Sequence, residues 1–166
     1  MQNLDQPVLA ASANFNFSTR LLEEKSSLRQ LDSMRRADVQ FVQMLDGFRS
    51  SGGLARLQEV AQLCEQKGGP DIGELTACLT RREIICFEWH SHGWLPLFQF
   101  SQGDMSLHPQ VQIVVSELSC IYDPWELAYW FSQPNPWLAN RAPSDVLRLD
   151  AATVLQAARA DRFVAN

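Results

Sequence analysis

Cys86, His90 and His92 are the first residues here whose types could do chemistry, because thiolate and imidazole are the ligands zinc prefers. On an alternating strand Cys86 and His90 would point to one face. A four-coordinate site would then need His108 from outside this segment, and Glu88 shares the face with a stripe of apolar rings rather than a loop built around a metal. The spacing favours partly exposed histidines on a hairpin, with no metal and no cofactor. Nucleophilic and acid–base patterns are also lacking: there is no GxSxG elbow, no HExxH helix and no pair of carboxylates at a spacing that demands proton transfer. The glycine pairs in SSGG at 50–53 and KGGP at 67–70 match neither phosphate-binding pattern. The chain reads as a protein that binds rather than an enzyme.

Two features could bind. The first is positive charge: ten of the fourteen basic residues lie between Arg20 and Arg82. A helix over 72–82 would offer Thr76, Thr80, Arg81 and Arg82 to a DNA groove or to phosphates, as a recognition helix does. Useful affinity for an operator would require a homodimer. Against this stand a net charge of −5 and Glu74 and Glu83 on the same surface. The alternative is a helical lobe that only packs on the second half of the chain.

The second feature is aromatic. All five tryptophans lie between Glu83 and Asn140, a stretch with six acidic residues and no lysine or arginine. Trp130, Phe131 and Trp137 stand beside Pro134, Pro136 and Pro143, a composition favoured at binding hot spots. Positive charge returns only at Arg141, Arg148, Arg159 and Arg162. Trp130, Trp137, Arg141, Arg159 and Arg162 together make a candidate face for an acidic partner protein. The alternative is that these rings are themselves the core of a small helical lobe, and for most of them that is the expectation.

The elements that must position these residues follow from periodicity. Residues 1–18 show no helical period and read as a disordered leader, with Phe15 and Phe17 as docking candidates. Ser18 or Thr19 would cap a helix to about Arg35, whose Leu21, Leu22, Leu28 and Leu31 would either pair two subunits or cover the chain's own core. In 37–49, Phe41, Met44, Leu45 and Phe48 recur at helical spacing and predict a second helix. Glycine-containing breaks at 50–53 and 67–71 then delimit helices over 54–66 and 72–82. ICFEWH at 85–90 and LPLFQF at 95–100 alternate as two strands around the turn SHG at 91–93.

Pro109 opens a helix to Leu118, and Asp123-Pro124 opens another that Pro134-Asn135-Pro136 ends. Trp137 and Leu138 are expected to reach back to the core. Pro143-Ser144-Asp145 begins a short turn. A final helix over 151–163 would pack Val154, Leu155, Ala158 and Phe163 inward and present Ala157, Arg159 and Arg162. The fold class is mainly α with a small β-hairpin: a winged helix-turn-helix-like lobe over 19–100 and a small helical lobe over 101–166, sharing a core. The four cysteines form no CxxC pair and read as buried free thiols. No apolar run approaches the ~20 residues a membrane span needs, and no secretory leader is evident, so a cytoplasmic location is expected.

The motif W-F-x-x-P-N-P-W-L-x-x-x-x-P-x-x-V-L at 130–147, followed by V-L-x-A-A-R at 154–159, resembles the toxin-binding domain of Xre/MbcA/ParS-type antitoxins. Asn140 stands where that family often has glycine. Upstream, the stretch from Leu54 through E-V-A at 59–61 to F-Q-F at 98–100 is similar to the helix-turn-helix half often fused to that domain, so the likeness covers about 54–163. The resemblance implies an antitoxin-like regulator of a bacterial toxin–antitoxin system. Its C-terminal half would clasp a RES-type toxin, a small NAD-consuming enzyme, and its N-terminal half would bind operator DNA.

Overall fold

The computed structural model describes the backbone of residues 8–165 and the side chains of residues 22–165. The protein is mainly helical with one small antiparallel sheet. Helix α1 runs unbroken over Val8–Gly47, because no glycine or proline interrupts it before its last residue. The two helices expected over 18–35 and 37–49 are therefore one, and residues 8–18 of the expected disordered leader are helical. The remainder of that leader, residues 1–7, and the side chains of Phe15 and Phe17 lie outside what is described. Within the described residues, those from Gln40 onward form one compact unit and those up to Val39 another.

After α1 the chain turns through Gly52 and Gly53, both in the left-handed region that glycine tolerates. It then makes a strand where a helix start was expected: β1, Leu54–Arg56, pairs with β3, His92–Pro96, with Ala55 opposite Leu95. Three residues carry no period, so only this pairing reveals the strand. Helix α2, Leu57–Lys67, and helix α3, Ile72–Thr80, follow. Asp71 caps α3 by accepting a hydrogen bond from the Glu74 N–H at 2.8 Å, while Glu74 accepts one from the Asp71 N–H. Strand β2, Phe87–Trp89, completes the sheet in the order β1-β3-β2. The element order through this part of the chain is α1-β1-α2-α3-β2-β3.

Both expected strands are shorter than their alternation suggested. Gln99 is 1% exposed, and its amide takes the place of a strand neighbour for Ile85. Its Oε1 accepts from the Ile85 N–H at 2.6 Å, and its Nε2 donates to the Ile85 and Pro96 carbonyls at 3.0 Å each. A single-turn 3-10 helix, Leu97–Gln99, replaces the far end of the expected strand so that this side chain can turn inward. The hairpin turn is also shifted, to His90-Ser91, with both residues in the left-handed region.

The chain continues through α4, Pro109–Leu118, α5, Pro124–Ser132, the single turn α6, Pro143–Val146, and α7, Ala151–Ala165. Val111, Val114, Val115 and Leu118 of α4 are all buried, as their spacing predicts. They join Phe41, Met44 and Phe48 of α1 with Phe131 and Val154 in the larger core. A second core lies between α2, α3 and the sheet, around Val60, Leu75, Leu95 and Phe100. On α7 the expected inner face is partly wrong: Ala157 is buried and Phe163 is 84% exposed. Cys64 and Cys78 are buried, Cys86 is half-buried, and Cys120 is exposed, contrary to the reading of four buried thiols.

Candidate functional site

The site grows from the start of α5. Asp123 accepts from the Glu126 N–H at 2.8 Å, Glu126 Oε2 accepts from the Asp123 N–H at 2.9 Å, and Pro124 presets the first turn. Leu127, Ala128 and Phe131 then face the core. Trp125, Tyr129 and Trp130 are left half-buried along the outside, beside Tyr122. Each ring is held by its polar end. Trp125 Nε1 donates to Gln40 Oε1 at 2.9 Å, and its ring meets Phe87 edge-on at 5.3 Å. The Tyr129 hydroxyl lies 3.0 Å from Gln43 Oε1, to which it donates. Trp130 Nε1 donates to Asp161 Oδ2 at 2.7 Å.

These rings line a groove of about 570 Å³ with Asp123, Glu126, Gln133, Pro134 and Asn135, and no lysine or arginine lines it. Its lining carries two carboxylates, Asp123 and Glu126. Burial, then the Asp161 and Glu126 carboxylates, hold the Tyr122 phenol above its usual range.

At the end of the groove the chain closes a tight loop. The Asn135 N–H donates to the Arg141 carbonyl at 3.0 Å, Asn135 Oδ1 accepts from the Trp137 N–H at 2.9 Å, and Asn135 Nδ2 reaches Asp161 Oδ2 at 3.0 Å. Ala139 and Asn140 both have positive φ, at 54° and 59°. The loop buries Leu138 but leaves Trp137 60% exposed, so Trp137 does not return to the core as its sequence suggested. One face of the single turn at 136–138 points inward and the other points out.

The other residues singled out from sequence have definite places. Arg141 is exposed beside the loop, lining a polar groove with Asp46, Asn140 and Asp145. Arg159 and Arg162 both pair with Glu117 of α4, at 3.5 and 2.7 Å, and so fasten α7 to α4. They do not gather with Trp137 into a free basic face. Thr76 and Thr80 are exposed on α3, but their hydroxyls donate to the Ile72 and Thr76 carbonyls at 2.7 and 2.8 Å. Arg81 forms a two-pronged pair with Glu83, at 2.8 and 3.0 Å, which holds the Glu83 carboxyl below its usual range. Arg82, in the left-handed region at φ 54°, donates to the Tyr122 carbonyl at 2.8 Å.

His90 and His92 are exposed on the hairpin turn, and His108 caps α4 away from them. Among the described residues no group of three or more histidine, cysteine, aspartate or glutamate side chains is placed to hold a metal ion. Sequence reasoning did not single out Tyr122, Trp125, Tyr129 or Asp161 as site residues. The Asp123-Pro124 cap marks where their helix begins, but their anchors lie on α1 and α7, far away in the chain. No helix among the described residues is long and apolar enough to cross a membrane. No family model, curated protein or solved structure matches the chain.

Proposed function

We propose that this chain is a protein-binding module that receives a partner in the α5 groove and on the loop carrying Trp137. The observation that carries this reading is the aromatic wall: Trp125, Tyr129 and Trp130 stay half-exposed while Gln40, Gln43 and Asp161 accept hydrogen bonds from their polar ends. Rigid, partly exposed Trp and Tyr lose little entropy on binding and are the side chains that dominate interface energies. The charge argues for a partner segment with apolar and basic side chains. This reverses the acidic partner expected from sequence, because Arg159 and Arg162 are already paired and Asp123 and Glu126 rim the groove.

The antitoxin-like reading is the more specific form of the same proposal, with a RES-type toxin as the partner. It draws support from Asn140, whose φ of 59° is a conformation that glycine and asparagine share most readily, so asparagine suits a place where the family often has glycine. Operator binding through α3 receives less support. Helix α3 contains no lysine or arginine, and the two arginines that follow it are engaged within the chain. An interaction module without DNA binding is therefore favoured over a DNA-binding regulator.

The test is co-purification of tagged protein from its native cells after nuclease treatment, comparing wild type with Trp137→Ala. Wild type should retain a stoichiometric partner that the variant loses while keeping its circular dichroism and melting temperature. Recovery of the wild-type chain alone would refute the proposal. Salt-dependent anisotropy with duplex DNA tests the second activity, and binding that Arg81→Ala and Arg82→Ala weaken would restore the regulatory reading.

A further inference from the structure

A second groove, of about 500 Å³, opens where α4 and α7 begin, and it shares no residue with the α5 groove. Glu117 in the last turn of α4 pairs with Arg159 and Arg162 in the second half of α7, while His108 and Ala151 at the two starts line this groove. The two helices therefore run parallel, with their positive ends at the same place. Arg148 lines the groove as well, and no carboxylate among the described residues pairs with it. Its Nη2 donates to the Phe100 carbonyl at 3.0 Å, which holds the guanidinium in place. Lys67 adds a second cation close by, since its Nζ donates at 2.7 Å to the carbonyl of Gln102, another lining residue. No aspartate or glutamate lines the groove. The nearby carboxylates are engaged elsewhere: Asp104 accepts from the Ser106 N–H and hydroxyl at 3.0 and 2.8 Å, and Asp150 from those of Thr153 at 3.0 and 2.6 Å.

Two groups in the groove wall lack partners among the described residues. His108 Nε2 is buried without a hydrogen bond, and buried polar atoms are nearly always bonded, so this nitrogen points to a ligand independently of the charge. Asp150 supplies acceptors at the start of α7, but no side chain bonds to the first turn of α4, and the Gln110 N–H there has no acceptor. We propose that this groove binds a small phosphate monoester, with the phosphate between Arg148 and the first turn of α4 and the organic part against Leu147 and Leu149. Arg148, the Gln110 N–H and the Gln102 amide come from three separate stretches of chain. That spread suits the three acceptor oxygens of a phosphate better than a planar carboxylate, which one guanidinium fork can hold. The volume falls within the ~300–1,000 Å³ of small-molecule sites, and the leucines provide the apolar share such sites need. His108 would report occupancy. Burial and then Arg148 hold its imidazole below the usual range against the opposing pull of Asp104, and a bound dianion would offset the Arg148 charge. This inference does not depend on the α5 groove.

The test titrates the full chain at constant ionic strength and reads the imidazole signals of its three histidines in proton–carbon NMR spectra, with His108→Gln assigning one of them. The probes are phenyl phosphate, inorganic phosphate and benzoate. Phenyl phosphate should move the His108 signal saturably and leave those of His90 and His92 in place. It should bind more tightly than inorganic phosphate, which lacks the ring, and than benzoate, which lacks the tetrahedral anion. Arg148→Gln should weaken it at least about tenfold. Gln110→Glu should do the same by setting a carboxylate against the phosphate, and it keeps the fold because negative charge in a first turn favours the helix. A His108 signal that does not move, equal shifts of all three histidines, phenyl phosphate binding no more tightly than either other probe, or an affinity unchanged by Gln110→Glu would each overturn the proposal.

Discussion

Replacing Gln99 by leucine should lower stability far more than a change of one uncharged side chain suggests. The substitution keeps the approximate shape and removes three hydrogen bonds, at 2.6, 3.0 and 3.0 Å. Ile85 is 1% exposed, so its N–H and carbonyl would be left buried with no partner, and the Pro96 carbonyl would lose its donor. A buried backbone group stripped of its partner costs about 1–3 kcal/mol, and the N–H costs more than a carbonyl. The sum is roughly 3–5 kcal/mol, a large share of the ~5–15 kcal/mol typical of a folded domain. Urea unfolding followed by tryptophan fluorescence should therefore show the midpoint falling by about 1–2 M with an unchanged slope. A Leu variant within about 0.5 kcal/mol of wild type would refute the assignment of Gln99 as the surrogate strand partner of Ile85.

Gln99→Glu sharpens the test through its sign. One oxygen can still accept from the Ile85 N–H, but the other would face the Ile85 and Pro96 carbonyls where the amide nitrogen now donates. Burial and those two acceptors both disfavour the charged form, so the folded pKa must rise above the unfolded value of about 4.3. A folded pKa that is raised confers stability fully present below the unfolded pKa and lost as pH rises through the folded one. The variant should thus lie nearest wild type at about pH 4 and fall away from it toward neutrality. A constant difference between the two proteins across that window would show that the carboxyl is solvated, and hence that the site is not closed.

Four further outcomes follow from the same packing. Gly47→Ala should destabilise by about 1–3 kcal/mol even though alanine favours helix, because the added methyl would run into the Ser132 carbonyl oxygen of α5; thermal melting measures it. Among the cysteines, Cys120 should react first with a thiol reagent at neutral pH, and Cys64 and Cys78 only on unfolding. Burial pushes the Cys86 thiol up to about 11, so the native state should lose stability as pH climbs from about 9 toward that value, which urea titrations at stepped pH would detect. Glu117→Ala should cost about 1 kcal/mol and less in high salt, since it releases Arg159 and Arg162 but both are substantially exposed.

Much of the fold was legible because many of its determinants are local. The Asp71 and Asp123-Pro124 caps, the four inward positions of α4 and the proline stop at 134–136 each act within one or two turns of helix, so spacing alone locates them. What escaped depends on partners distant in sequence. Leu54–Arg56 is a strand because β3 lies beside it, and otherwise it looks like the first turn of α2. Gln99 fits the alternation of a strand, yet its amide ends that strand by pairing with Ile85, fourteen residues away. Arginine at 36 and alanine at 37 do not stop a helix, and the break expected there reflected a change of hydrophobic phase rather than a residue that breaks the backbone.

The candidate site shows the same division, and charge makes it sharpest. A sequence displays where its arginines are but not what they are already holding. Arg82 is taken by the Tyr122 carbonyl, Arg81 by Glu83, and Arg159 and Arg162 by Glu117, a residue some forty positions before them. Once those pairs are removed from the account, the face beside α5 is left with Asp123, Glu126 and Asp161 around its rings and Arg141 off to one side. A basic stretch of partner would therefore be steered to the groove by long-range attraction, and its association rate should fall as salt is raised while dissociation changes little. An association rate that instead rises with salt would mean that the partner is acidic and that Arg141, not the aromatic wall, meets it first.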